Sequence, residues 1–219
     1  MKKKQPTNSE MRQVYFTNVR KEMTRFIPDG CCRILDVGCS EGNFGKLLKG
    51  ILKAEVWGVE LSENAGKTAA LKLDKVFIGD FSEILPQLPE HYFDCLMFND
   101  VLEHFTDPWN ILIQCKKILC AGGYIVSSIP NVRYIGNLVE LLIRKDWEYK
   151  SGGILDQAHY RFFTQKSIVR MFNQSGYAIL SCTGINPTHS FMTNLLGILT
   201  LGFMSDCKFL EFATVAKST

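Results

Sequence analysis

Three acids and one glycine-bearing loop are the residues whose types and spacing suggest chemistry. Asp36-Val37-Gly38-Cys39-Ser40-Glu41-Gly42-Asn43 follows a short apolar run. Glu60 closes a second run 22 positions after Gly38, and Gly79-Asp80-Phe81 closes a third. Gly38 and Gly42 let the backbone turn tightly and leave room for a ligand. A helix beginning behind such a loop aims its free amides at whatever sits there, which favours a carboxylate or phosphate. An acid at position 60 is placed to accept hydrogen bonds from ribose hydroxyls. Asp80 offers a polar edge, and Phe81 an aromatic surface, to a base. Taken singly, each is also what a helix cap or an ordinary turn looks like. Three acids at three successive strand ends point instead to a nucleoside ligand.

The loop narrows the choice of ligand. No Gly-Lys-Ser/Thr follows the glycines, so the phosphate loop of nucleotide hydrolases is absent. A dinucleotide fingerprint needs glycines at its first, third and sixth positions, which here are Gly38, Ser40 and Asn43. Asp36 adds an electrostatic argument. A carboxylate repels a pyrophosphate and attracts a ligand bearing an ammonium and a sulfonium. S-adenosyl-L-methionine carries both, with a carboxylate for the helix terminus and a ribose for Glu60.

Ile34-Leu35-Asp36-Val37-Gly38-Cys39-Ser40-Glu41-Gly42 resembles the first motif of class I S-adenosylmethionine-dependent methyltransferases. Val59-Glu60, Gly79-Asp80 and Phe93-Asp94 through Asn99-Asp100-Val101-Leu102-Glu103-His104 resemble the following motifs in the expected order. Ser40 stands where a glycine is commoner, and Ala121 where a proline commonly precedes Gly122-Gly123. The resemblance implies roles. Asp36 and the backbone at Gly38, Ser40 and Gly42 would hold the methionine part. Glu60, with Leu61 beside it, would hold the ribose. Asp80 and Phe81 would face the adenine, and Asn99 would lie beside the methyl group. It also implies a seven-stranded sheet whose last strand is antiparallel.

The acceptor side is read from two further stretches. Asp100-x-x-Glu103-His104 has i, i+3, i+4 spacing, so its polar groups share one face if helical. Three readings stand together: a general base at His104, structural hydrogen bonds, or a divalent-metal site, since similar runs occur in quinone O-methyltransferases. No metal ligand is assigned from the sequence. Ser128-Ile129-Pro130-Asn131-Val132-Arg133-Tyr134 and Leu155-Asp156-Gln157-Ala158-His159-Tyr160-Arg161-Phe162-Phe163-Thr164 resemble a methyltransferase subgroup linked to glycosyltransferases and polysaccharide synthesis. Asn131, Arg133, Tyr134 and Arg161 are the candidate acceptor contacts, arginine suiting a carboxylate or phosphate. His159 is a second candidate base. The structural alternatives are an Arg161–Asp156 ion pair, core positions for Phe162 and Phe163, and lid packing for Trp147 and Tyr149 instead of sugar stacking. Gly152-Gly153 is a hinge-like break within a segment that would close over the acceptor.

The elements that position these residues alternate. Strands are expected over 33–37, 55–60, 75–78, 93–98, 124–129, 177–183 and 209–216. Helices are expected over 11–26, 42–52, 63–71, 108–119 and 165–174. That order predicts a doubly wound, mostly parallel α/β sheet of the Rossmann-like kind, with ligands at the strand carboxyl ends. One domain over 1–219 is expected, with acceptor or lid insertions at about 130–164 and 186–205. The 219 residues, 46% apolar and 21% charged, exclude disordered and fibrous classes. A net charge of +3 is too weak to argue for nucleic acid. Eight cysteines without a Cys-x-x-Cys pair read as reduced thiols, which suits a cytoplasmic protein. The longest apolar stretch, 191–204, is too short for a membrane span. The expected activity is methyl transfer, on oxygen, to a small-molecule or glycan acceptor, with a homodimer as the candidate assembly. A nicotinamide-dependent oxidoreductase and a cofactor-binding protein without catalysis are the competing readings.

Overall fold

The computed structural model describes residues 19–188, 197 and 199–219. Seven strands form one sheet in the order β3-β2-β1-β4-β5-β7-β6. They are β1 (Arg33–Val37), β2 (Glu55–Glu60), β3 (Lys75–Ile78), β4 (Phe93–Asn99), β5 (Leu119–Pro130), β6 (Tyr177–Pro187) and β7 (Phe209–Ser218). Five strands pair in parallel across β3-β2-β1-β4-β5. β7 runs antiparallel to both of its neighbours, β5 and β6.

The central strands β1 and β4 are apolar without alternation because both faces of the sheet are covered there. In β1, Ile34 joins one core while Leu35 and Val37 join the other. In β4, Cys95 and Met97 face the first core, and Leu96 and Phe98 the second. The first core takes Phe44 and Leu48 of helix α1 (Asn43–Leu52) and Ala69 of α2 (Glu63–Ala69). The second takes one-turn α3 (Phe81–Ile84), Ile111 and Leu112 of α4 (Pro108–Cys115), and Ile168 and Phe172 of α6 (Gln165–Gln174). Helix starts follow local chemistry. Ser62 and Asp107 accept from Ala65 and Asn110 amides, and Thr164 and Ser167 cap each other reciprocally.

Several boundaries differ from the sequence reading. Of the helix expected over 11–26, residues 11–18 lie outside the described residues, and Lys21–Phe26 form a 3-10 helix. Gly122-Gly123 does not break β5. The strand begins at Leu119, opposite Phe93, and a register shift at Phe93/Cys95 absorbs the extra residues, with Gly122 at φ +69°. Helix α4 stops at Cys115. The irregular region after Pro130 contains α5 (Ile135–Val139) and a π-helical turn over Glu140–Arg144. Of the 191–204 stretch, residues 191–196 and 198 lie outside the described residues.

The segment after β5 is anchored at both ends. Asn131 bridges to Phe163, and its amide donates to the Leu210 carbonyl at 2.9 Å. Within the segment, Tyr134, Asn137, Glu140, Lys150, Ile154 and their neighbours line a cleft of about 260 Å³. Among the described residues, no helix is long and apolar enough to cross a membrane.

Candidate active site

β1 and β4 lie side by side, while the chain runs outward from β1 through β2 to β3 before crossing to β4. That is a topological switch point, where open α/β sheets leave a crevice. The loop after β1 is fixed by three positive-φ residues, Gly38 (+71°), Ser40 (+52°) and Gly42 (+74°). Gly38 also has no room for a side chain, since a Cβ there would lie 2.6 Å from Val101 Cγ2. Gly38 and Cys39 donate their amides to the Val59 carbonyl at 2.8 and 3.1 Å, which pins the loop to the end of β2. The two Glu60 carboxylate oxygens accept from the Ser40 and Ser62 amides at 2.7 and 2.8 Å. The acid expected for a ribose therefore also shapes the loop.

Asp36 and Asn99 stand on either side of the switch. Asp36 is 2% exposed, and its Oδ2 has no hydrogen-bond partner. Burial, and then the negative charge of Glu60, pushes its carboxyl up to about 7. Asn99 Oδ1 is likewise buried without a partner. Buried acceptors are ordinarily satisfied, so two orphans at one crevice call for a donor from outside the chain.

The adenine-side residues separate. Asp80 is exposed and caps α3, accepting from the Ser82 amide at 2.7 Å. Leu61 is 72% exposed beside Glu60. Phe81 does not offer its ring to the crevice. As the first residue of α3 it turns into the core and packs edge-on to Phe98 at 5.7 Å.

On the side expected for the acceptor, the structure brings together two histidines that are 55 residues apart. The His104 and His159 rings meet edge to face at 4.6 Å. The turn Leu102–His104 carries one, and the segment after β5 carries the other. That segment docks through the Tyr160 and Arg161 amides, both on the Glu103 carbonyl. Burial, and then His159, lowers the His104 pKa. Burial, and then Asp100, raises that of Glu103.

Three of the four candidate acceptor contacts are engaged elsewhere. Asn131 is fully buried, donates to the Asp206 and Phe209 carbonyls, and accepts from the Arg133 amide. Arg133 pairs with Asp206 at 2.7 and 3.1 Å. Arg161 binds the Thr106 carbonyl, not Asp156, and lies over Trp109. Tyr134 lines the cleft after β5. Phe163 is core, and the Trp147 and Tyr149 rings pack on Phe162.

A network the sequence reading missed lies beside Asn99. Arg20 pairs with Asp100 and Glu211, and Ser128 Oγ donates to Asp100 at 2.9 Å. Burial, then Asp100, holds Glu211 at about 7. The available signal was Glu211 itself, an acid inside the apolar run Phe209-Leu210-Glu211-Phe212.

These residues fit S-adenosyl-L-methionine. Orphaned acceptors on Asp36 and Asn99 suit an ammonium, and the positive-φ turn at Gly38, Ser40 and Gly42 sets the backbone beside them. The comparisons agree. A family model described as a methyltransferase domain matches residues 7–182. A ubiquinone biosynthesis O-methyltransferase of Thiobacillus denitrificans is 27% identical over 168 residues, covering 71% of this chain and 69% of that one. An uncharacterized protein of Methanocaldococcus jannaschii is 27% identical over 172 residues, covering 78% and 76%. Among solved structures, an S-adenosylmethionine-dependent methyltransferase from Archaeoglobus fulgidus shares the fold with a TM-score of 0.70 at 20% identity, covering 94% of each chain. One from Mesorhizobium loti gives 0.62 at 19%, covering 90% of this chain and 95% of that one. The chain belongs to the methyltransferase-domain family. It is an S-adenosyl-L-methionine-dependent methyltransferase, and the nicotinamide alternative falls away.

Proposed function

We propose that the protein methylates a hydroxyl oxygen of a small-molecule acceptor. The observation that carries the reading is the pair of unpartnered buried oxygens, Asp36 Oδ2 and Asn99 Oδ1, at the switch point. In this reading Asp36 and Asn99 take the donor's ammonium. The backbone at Gly38, Ser40 and Gly42 takes its carboxylate, Glu60 its ribose, and Asp80 and Leu61 flank its base. When bound, S-adenosyl-L-methionine supplies an electrophilic methyl group. The chain's own contribution is to orient the two partners and exclude water, which can account for much of such a rate. The acceptor is assigned to the side of His104, in the turn Leu102–His104 shortly after Asn99, and of His159, in the segment after β5.

Oxygen as the acceptor atom is supported by the relatives named ubiquinone biosynthesis O-methyltransferase, 24–27% identical over about 70% of this chain. A glycan acceptor has less support, because Arg133, Trp147 and Tyr149 are held by Asp206 and Phe162. The test is S-adenosylhomocysteine release from the purified protein with catechols, phenolic acids and sugar nucleotides. Release with a phenol and a methoxy product bears the proposal out. Release with amines alone overturns the acceptor atom, and release with sugar nucleotides alone replaces the phenol with a glycan hydroxyl. Calorimetry showing binding of NAD but not S-adenosylhomocysteine overturns the donor.

A further inference from the structure

Helix α1 starts without the anion that helix starts ordinarily attract. Its N-cap is Gly42, which offers no side-chain acceptor, and no acid lies in its first turn. The amino end of a helix carries partial positive charge, so acids gather there and cations do not. Here a cation does. Lys72, three residues past the end of α2, donates its ammonium to the Glu41 carbonyl at 2.7 Å and to Asn43 Oδ1 at 2.9 Å. Both partners are neutral groups, and among the described residues neither Lys72 nor the Glu41 carboxylate takes part in an ion pair. Asp74, two residues on, is engaged by Lys49 and the Val56 amide. Glu60, at the end of β2, is engaged by the Ser40 and Ser62 amides.

The backbone that carries this cation is fixed. The Lys72 and Leu73 amides both close on the Ala69 carbonyl, at 2.8 and 3.0 Å. Leu73 is buried against α1, where a Cβ at Gly45 would lie 2.6 Å from its Cδ2. The two helices meet closely enough that a Cβ at Gly42 would lie 3.0 Å from the Ala69 Cα. A fixed ammonium against the positive end of a helix is an arrangement that an anion relieves. The opposite pole is Asp36, whose Oδ2 is buried without a partner at the end of β1, just before the loop. A negative pole before the loop and a positive pole behind it match the two charges of an amino-acid group.

We propose that Lys72 is a positioning residue for the methyl donor: held against the start of α1, its ammonium supplies the positive charge that draws the donor's carboxylate to the loop after β1. Lys72 acts through the loop and needs no contact with the donor, since it grips the Glu41 carbonyl between Ser40 and Gly42. A unit charge acts over such a separation where water is partly excluded. Charge, and not the shape of the stem, is the property this position uses. The proposal rests on the reading that puts the donor's carboxylate at Gly38, Ser40 and Gly42.

Calorimetry compares S-adenosylhomocysteine with its decarboxylated analogue, which keeps the adenosine, the thioether and the ammonium. The parent should bind S-adenosylhomocysteine about tenfold more tightly than the analogue, as a charged hydrogen-bonding group warrants. K72M keeps the length of the stem and removes the charge. It should weaken S-adenosylhomocysteine about fivefold and leave the analogue within about twofold of the parent, so that the preference shrinks. K72R should bring the preference back. K72Q, which keeps a donor for Glu41 and Asn43 but no charge, replaces K72M if that variant fails to fold, with the same outcome expected. Equal weakening of both ligands, or a preference kept in full, overturns the role of Lys72 and leaves the placement of the carboxylate standing. A parent that binds both ligands alike overturns that placement, and the proposal with it.

Discussion

Asp36 is a carboxylate that the fold disfavours, buried where the proposed reading puts the donor's ammonium. The folded carboxyl keeps its proton up to about pH 7, against an ordinary value of 3.8. The native state therefore binds more protons between those values, and stability falls as pH rises from about 4 to about 7. Asp36→Asn removes that loss. The ligand-free variant should melt above the parent at pH 8, by about 2–4 °C for each kcal/mol relieved, with the gap closing toward pH 4. Its S-adenosylhomocysteine affinity should fall at least tenfold by calorimetry, since Asn offers the ammonium no charge. Tighter or equal binding would refute the electrostatic role. Glu60 holds the loop amides of Ser40 and Ser62 and is the proposed acceptor for the ribose. Glu60→Ala should weaken S-adenosylhomocysteine about ten- to a hundredfold, or about 1.5–3 kcal/mol for a charged acceptor. The places of Asp36 and Glu60 at the crevice were legible because a strand end and a short spacing are local features. Arg20 was not, because its partners lie 80 and 191 residues away. Asn131 and Arg133 were assigned to an acceptor for the same reason: nothing local announces Asp206 as their neighbour.

The loop between β1 and α1 is shaped by one contact from another strand's exit. Val101, two residues past β4, occupies the space a Cβ at Gly38 would need. Gly38→Ala should cost about 1–3 kcal/mol through overpacking and a left-handed backbone. Val101→Ala in the same chain should recover only part of that in urea unfolding, because the φ of +71° remains. Full recovery would make the contact, and not the backbone, the whole cause. β2 and β3 read correctly from the sequence because their apolar runs have polar ends on both sides. β5 was read too short because a glycine pair normally ends a strand, whereas here a register shift keeps it in the ladder. The turn Leu102–His104 was read as a helical face. It is a single 3-10 turn, and its histidine partner comes from the segment after β5.

Arg20 joins the chain's early part to its last strand across the mouth of the sheet. It holds Asp100, at the exit of β4, and Glu211, in β7. Arg20→Ala leaves two largely buried carboxylates without their cation, a loss of about 3 kcal/mol. With Glu211 held at about 7, that loss should be larger at pH 8.5 than at pH 5.5, where its carboxyl is protonated. Urea melts at both pH values measure it, and an equal loss at both would refute the coupling. The fold class was legible from the alternation of elements, and the antiparallel final strand followed from the resemblance to class I methyltransferases. The packing of the segment after β5 was not, since its anchors are backbone carbonyls at Glu103 and Thr106, which have no sequence signature.

The place of β7 also sets an order of events in synthesis. Of the seven described strands it is the last in chain order, yet it lies between β5 and β6 and not at a margin. Until it emerges, β5 presents an open ladder with Ile125, Val126 and Ile129 beside it, and β6 has no strand to pair with. A nascent chain therefore carries an unfinished sheet until β7 emerges, which is the condition under which partly folded chains associate. A chain ending at Lys208 should pellet after centrifugation of a lysate, while the full chain stays in the supernatant. Adding a peptide of residues 209–219 during refolding should return part of it to solution.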